Sequence, residues 1–116
     1  MSLWKWNGVE LEIKMSDADF QDKYENAFNK MAVTEKSLQN TGRLAELTRK
    51  YCDMFYQLFD DIFGHGIAEK LFEGRKDMDE IDLAYDSFIS QCKKDVDVIN
   101  KKRAARNSKY NVGKKR

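Results

Sequence analysis

Apolar residues recur every three or four positions along most of the chain, which is the spacing of amphipathic helices. The densest apolar run covers residues 54–72 and is rich in phenylalanine, with a break at a Gly-His-Gly sequence. No other segment offers as much apolar surface to bury, so we expect the flanking helices to fold back onto this run. The pattern predicts a mainly α protein, a helical bundle of three main helices plus one short helix.

The first two main helices carry clear start and stop signals. Ser16 and Asp19 form a capping box at the start of the first helix, whose apolar face consists of Phe20, Tyr24, Ala27, Phe28, Met31 and Leu38. Asn40 or Thr41 is expected to cap the second helix, and Gly64 to end it in a left-handed conformation. The second helix is apolar on more than one side, so we expect it to be central.

The second half of the chain continues the helical pattern. Residues 67–72 form a short helix of about two turns, and Gly74 closes it. Residues 77–80 resemble another capping sequence. The last helix follows with one apolar stripe, formed by Ile81, Tyr85, Phe88, Cys92, Val96 and Ile99. We expect it to fray within residues 101–106, where the apolar stripe stops.

Residues 3–13 predict a two-stranded β-hairpin, because residues 7–8 are Asn-Gly, the strongest short signal for a type I′ turn. The register that this turn imposes pairs Trp6 with Val9, Trp4 with Leu11, and Lys5 with Glu10. One face is then apolar and the other is charged. An isolated hairpin is marginal in water, so Trp4 and Trp6 need a cover, either from the protein's own helices or from a partner.

Size and charge divide the chain into a body and a tail. At 116 residues one domain is expected, here residues 1–100. These residues hold 13 basic and 20 acidic side chains, a net charge of −7. Residues 101–116 hold no acidic residue and eight basic ones, Lys101, Lys102, Arg103, Arg106, Lys109, Lys114, Lys115 and Arg116. We expect this basic C-terminal segment to be flexible.

The chemistry-bearing residues are few. The chain has one histidine, His65, and two separated cysteines, Cys52 and Cys92. A zinc site needs about four such ligands, so we expect no metal, no cofactor, and free buried thiols. No apolar run reaches the roughly 20 residues that cross a bilayer, and the N-terminus does not resemble a secretory signal. The expected location is therefore the cytoplasm.

Two short motifs invite a catalytic interpretation, and neither supports one. Asp60 and Asp61 are adjacent on a predicted helix, so their side chains point about 100° apart and do not converge on one site. Residues 64–66, Gly-His-Gly, lack the spacing and the preceding strand of a phosphate-binding loop. One histidine and two cysteines within packing stripes cannot assemble a nucleophile, a base and an orienting group. The sequence predicts a non-enzymatic protein.

The basic segment leaves several interpretations open. Its cations could bind nucleic acid in a salt-dependent manner, although Tyr110 is the only aromatic residue there for base stacking. Alternatively, it is a solvated tail, or it contacts an acidic surface, such as the body of a neighbouring copy in a homo-oligomer.

Three stretches resemble a family of small, functionally uncharacterised proteins of phages and prophages in Gram-positive bacteria. These are MSLWKWNGVELE (residues 1–12), FDDIFGHGIAEKLF (residues 59–72) and AYDSFI (residues 84–89). The part from residue 54 to residue 89 is also similar to tail assembly chaperones of long-tailed phages, which hold the tape-measure protein soluble while the tail tube polymerises.

The resemblance implies a phage tail assembly chaperone, or a related assembly factor, acting in the cytoplasm of the bacterial host. Its partner would be a helical phage protein such as the tape measure, bound in an apolar groove. The candidate groove residues are Trp4, Trp6, Phe20, Tyr24 and Phe28. The alternative is a small nucleic-acid-binding protein that uses the basic segment, and a third interpretation is a structural component that remains in the virion.

Overall fold

The computed structural model describes residues 2–38 and 42–111 of the chain. These residues form a hairpin followed by four helices: β1 (Ser2–Trp6), β2 (Val9–Ile13), α1 (Ala18–Ser37), α2 (Leu44–Phe63), α3 (Ile67–Phe72) and α4 (Met78–Asn111). The predicted fold class is confirmed: the protein is mainly helical, with three long helices, one short helix and an N-terminal antiparallel hairpin.

The hairpin has the predicted register. Trp4 lies opposite Leu11, and Lys5 lies opposite Glu10 with 3.1 Å between Nζ and Oε2. The turn residues Asn7 and Gly8 have φ angles of 49° and 77°, the left-handed region that a type I′ turn requires. Local turn chemistry is therefore sufficient to set the strand pairing.

Aromatic rings fill the centre of the protein. The three largest fully buried side chains are phenylalanines from three helices, Phe59 of α2, Phe72 of α3 and Phe88 of α4. Trp4 of the hairpin joins them, with its ring centroid 5.3 Å from that of Phe59 and 5.2 Å from that of Phe88. The aromatic run of α2 is thus the centre of the core, as its sequence predicted.

The caps differ in part from the prediction. Asp17, not Ser16, caps α1: its backbone is extended, and its carboxylate accepts a hydrogen bond from the Phe20 backbone N–H at 3.0 Å. Ser16 lies one position too early, within a turn in which the Asp17 N–H donates to the Lys14 carbonyl. The Asp77 carboxylate accepts from the Glu80 N–H at the start of α4, which confirms the predicted cap there.

The start of α2 is also later than predicted. Its N-cap residue is Arg43, which makes no side-chain capping bond, whereas Asn40 and Thr41 lie outside the described residues. Gly64 ends α2 as predicted, but its φ of 122° and ψ of 152° lie outside the left-handed helical region that we expected. In α3 the left-handed C-cap is Glu73, with Gly74 following in the same region of φ.

Long-range hydrogen bonds hold the hairpin on the helices. The Trp4 indole N–H donates to Ser87 Oγ of α4 at 3.0 Å, and the Asn7 amide donates to the Leu71 carbonyl at the end of α3. At the end of β2, the Met15 N–H donates to the buried carboxylate of Asp95 at 2.9 Å. The hairpin is therefore an integral part of the body.

The last helix continues further than predicted. The sequence indicated fraying within residues 101–106, yet α4 is helical to Asn111. Residues 101–111 contain neither glycine nor proline, and basic side chains are favourable near the carboxyl end of a helix. At 34 residues, α4 extends past the body, and the molecule measures 66 × 31 × 22 Å. The fraying expected within residues 101–106 is therefore wrong, the flexibility expected of the basic segment stays a prediction, and residues 112–116 lie outside the described part.

Candidate functional site

Trp4 is not available to a partner. The prediction placed it in a binding groove, but its side chain is only 2% exposed. It stacks on Phe59 and Phe63 and donates its indole hydrogen to Ser87. The alternative cover considered for the hairpin, the protein's own helices, is the one that the structure shows.

The other four predicted groove residues are half-buried and pack against the core. Along α1, the Phe20 ring lies 6.2 Å from that of Phe63, and the Phe28 ring lies 6.2 Å from that of Tyr85. Trp6 packs at the edge of the same core. The structure therefore does not bring Trp6 and the face of α1 together as an open groove, because α2 and α4 already cover most of that face.

An accessible depression lies instead between α1 and α4, and we call it the α1–α4 groove. It has a volume of about 260 Å³ and is lined by Met15, Tyr24, Ile89, Cys92, Lys93, Val96 and Asp97. An adjoining depression shares Ile89 and Lys93 and continues along α4 to Tyr85. Between Tyr85 and Val96 the helix rises about 16 Å, or three turns. Of the predicted partner-binding residues, this groove includes Tyr24.

The floor of the groove is apolar and neutral. Burial, and to a smaller extent the nearby carboxylate of Asp95, raise the pKa of the Cys92 thiol to about 12. Burial also raises the pKa of the Tyr24 hydroxyl. Both groups therefore keep their protons at neutral pH, so Cys92 contributes a packing surface and not a nucleophilic thiolate.

At one end the groove opens onto the last part of α4, residues 97–111, which we call the projection. Helices α1 and α4 run antiparallel, since Tyr24 contacts Phe88 whereas the later Phe28 contacts Tyr85. The start of α1 therefore lies beside Asp95, and α4 continues beyond it, where none of the other described helices accompanies it. Side chains 97–109 are exposed, apart from the half-buried Ile99.

The projection is strongly basic. It carries one carboxylate, that of Asp97, and five cations, Lys101, Lys102, Arg103, Arg106 and Lys109. The remaining predicted basic residues, Lys114, Lys115 and Arg116, lie outside the described residues. The structure thus places an apolar groove and a cationic helix next to each other on one element.

Asp60 and Asp61 have structural contacts and diverge, as their spacing predicted. The Asp60 carboxylate accepts a hydrogen bond from the Ala68 N–H at 2.9 Å, which holds the start of α3. Asp61 accepts from Gln57 on its own helix and lies 3.7 Å from the Lys30 ammonium of α1. Each carboxylate is thus used to join two segments of the body.

Within residues 2–38 and 42–111, no three histidine, cysteine, aspartate or glutamate side chains come together in a way that could hold a metal ion. Cys52 and Cys92 are free and buried, and the His65 side chain is fully exposed. In the same part of the chain, no helix combines the length and the apolar character needed to cross a membrane.

A sequence profile for a family of unknown function, DUF6673, matches residues 7–116. The chain belongs to DUF6673. The match begins at the hairpin turn and includes all four helices, so the groove and the projection of this DUF6673 protein lie within the matched region. No curated protein and no solved structure matches it.

Sequence reasoning missed most of the groove because it assigned the whole apolar stripe of α4 to core packing. A signal was present. The stripe continues through Val96 to Ile99, beyond the point where an antiparallel α1 that starts near residue 18 could cover it. The length difference between α4, with 34 residues, and α1, with 20, indicates that part of the stripe has no neighbouring helix within the body.

Proposed function

We propose that this protein is a non-enzymatic assembly factor that binds an amphipathic helix of another protein in the α1–α4 groove. The observation that carries the proposal is the apolar floor of this groove, formed by half-buried side chains of Met15, Ile89 and Val96. A floor three turns long suits the helix-in-groove mode, in which apolar residues of the ligand recur every three or four positions.

The resemblance to phage tail assembly chaperones supports a specific first partner, the tape-measure protein. A long helical protein with apolar stripes aggregates when it is unassembled. A small protein that covers one stripe with its groove and presents charged side chains outward would keep it soluble in the cytoplasm of the bacterial host. Release of the assembly factor before the particle is complete separates this function from that of a virion component, and analysis of purified particles decides between them.

Co-expression with a fragment of the tape-measure protein from the same genome tests the proposal. Val96→Asp places a carboxylate in the apolar floor, where burying it without a partner is costly. The matched control is Val98→Asp, which makes the same change two positions along the same helix. Val98 is 50% exposed, and two positions on a helix turn it about 200° away from Val96.

The native protein and Val98→Asp should both keep the fragment soluble and co-purify with it, whereas Val96→Asp should lose at least about tenfold in affinity, or about 1.4 kcal/mol. Circular dichroism of both variants checks that the fold is retained. The proposal fails if the native protein leaves the solubility of the fragment unchanged, or if the two variants bind it equally well.

A second candidate function is binding of nucleic acid by the projection. The observation in its favour is that the cations of residues 101–109 are exposed on a continuous helix and point in several directions around it. Such an arrangement neutralises phosphates without reading bases. A gel-shift assay with and without residues 101–116 tests it: DNA binding that weakens with salt and disappears on truncation would favour this function.

A further inference from the structure

We infer that the helix bound in the α1–α4 groove runs antiparallel to α4 and carries a cluster of acidic residues at its N-terminal end, over the projection. This inference rests on the proposed function, since it specifies the chemistry and the direction of the helix that the groove accepts. Three observations lead to it: the line of residues along α4, the charge of the projection and the direction of the helix dipoles.

One line of side chains connects the groove to the projection. Ile89, Val96 and Arg103 are spaced by seven positions, so they lie on nearly the same side of α4, about 10 Å apart. The first two line the groove, and the third is an exposed guanidinium. A ligand helix that packs on Ile89 and Val96 and continues straight therefore meets Arg103 about two turns later.

The charge of this region selects an acidic ligand segment. The projection holds five cations and a single carboxylate. A ligand end that bears carboxylates would form charge-assisted pairs with Lys101, Lys102, Arg103 and Lys109, whereas these cations would repel a basic ligand end. The projection of a second copy is not a suitable ligand, because two projections side by side would bring ten cations and two carboxylates together.

The helix dipoles then determine the direction of the ligand. Acidic residues stabilise a helix at its N-terminal end and destabilise it at its C-terminal end. An acidic cluster over the projection is consistent with a stable ligand helix when that end is its N-terminus. The N-terminus of the ligand then lies near the C-terminus of α4, which is the antiparallel arrangement and also aligns the two macrodipoles favourably.

Three synthetic peptides test the inference against the full-length protein. Each is a helix of about 24 residues, or about 36 Å, long enough for the groove and the projection, and all share one apolar face. The first carries four glutamates in its first two turns, the second carries them in its last two turns, and the third has glutamines instead. Binding is measured by fluorescence anisotropy at about 20 mM and about 300 mM salt, since screening separates charge pairing from apolar contact.

The N-terminally acidic peptide should bind at least about tenfold more tightly than the other two at low salt, and this difference should shrink at high salt. Arg103→Gln should reduce the difference about threefold or more. Lys101→Gln, the same loss of charge on the other side of the helix, should reduce it less, because two positions turn the side chain about 200° away. Val96→Asp should weaken the binding of all three peptides.

The outcomes distinguish the inference from the function on which it rests. Equal binding of the three peptides, or tighter binding of the C-terminally acidic one, overturns the inference and leaves the proposed function intact. Absence of binding by all three contradicts the proposed function itself. The inference is also overturned if a single-stranded DNA of about 24 nucleotides displaces the first peptide and binds Val96→Asp as tightly as it binds the native protein. The projection would then be a nucleic-acid-binding surface.

Discussion

The two halves of α4 share one backbone conformation and have opposite surroundings. In the first half, Ile81, Ala84 and Phe88 are completely buried against the hairpin and the other helices. In the projection, side chains 97–109 are exposed apart from the half-buried Ile99. Burial of apolar surface stabilises the first half, whereas the second half is held by helix propensity and by favourable charge at its carboxyl end.

This difference means that the two halves of one helix are subject to different constraints. The first half defines the fold and leaves little surface free for other molecules. The second half contributes little to the core, so its sequence can be adapted to a ligand without a loss of stability. The partner recognition that we propose would thus lie where mutations cost the fold least, and the groove lies at the boundary between the two halves.

The largest effect is expected when a core ring is removed from the first half of α4. Phe88→Ala should lower the free energy of unfolding by about 3–5 kcal/mol, because Phe88 is completely buried and contacts the rings of Trp4 and Phe59. Urea denaturation followed by circular dichroism measures this change. Phe88→Leu, which keeps most of the apolar volume, should cost clearly less. Equal and small losses in both variants would show that the first half is not the core that its burial indicates.

Alkaline pH should lower the free energy of unfolding through the thiol of Cys92, which lies at the boundary between the two halves of α4. The pKa of Cys92 is raised from 9.0 to about 12 in the folded protein. Between these values the unfolded chain has lost this proton while the folded chain retains it, so stability falls as pH rises by about 1.4 kcal/mol per pH unit for this group. Burial also raises the pKa of Tyr56 to about 12, which adds a loss of the same sign above pH 10.

Urea denaturation from pH 8 to pH 11 measures this dependence. Cys92→Ala should be less stable at pH 8, since it removes packed volume, but its stability should fall less steeply between pH 9 and pH 11. If the variant and the native protein show the same slope, the thiol is not protected in the folded state as its burial indicates.

A smaller effect is expected where the hairpin is joined to α4. The Asp95 carboxylate is 6% exposed and accepts the Met15 N–H. Asp95→Ala should cost about 1–3 kcal/mol, because it leaves a buried backbone donor without an acceptor. Asp95→Asn keeps a carbonyl oxygen at the same place and should cost less. Thermal denaturation of the two variants side by side measures the difference, and an identical melting temperature would argue against this hydrogen bond.

The smallest effect should come from the projection itself. Deletion of residues 101–116 should change the free energy of unfolding by less than about 0.5 kcal/mol, although it removes three turns of described helix from the circular dichroism signal. A larger loss of stability would mean that the projection packs on the body in solution, and the comparison between the two halves of α4 would then not hold.

Features set by neighbouring residues were predictable from the sequence. Asn7 and Gly8 alone determine the hairpin register, and Gly64 alone determines where α2 ends, because each depends on a local backbone conformation. The core followed from the density of phenylalanine around Phe59. The position of the α1 cap was off by one residue, since Ser16 and Asp17 are both good caps and only the turn at Lys14 decides between them.

Features set by the relative lengths of elements were not predictable in the same way. The groove exists because α4 is longer than α1. The sequence pattern predicted the end of α4 too early in the chain. The predicted end of α4 rested on the loss of the apolar face after Ile99 and left out the high helix propensity of residues such as Ala104 and Ala105. Trp4 was assigned to a partner surface for a related reason. The same alternation of apolar and charged residues is expected whether a hairpin is covered by its own protein or by another chain.

The hydrogen bond between Trp4 and Ser87 joins residues 83 positions apart, and this has a consequence for how the protein is made on the ribosome. The hairpin emerges first, yet the surface that receives it is completed only when the first half of α4 has been synthesised. Until then, its tryptophans remain in water, on a two-stranded sheet that is marginal by itself. Nascent chains stalled before residue 88 should therefore be the form of this protein most prone to aggregate and most attractive to general chaperones of the cell.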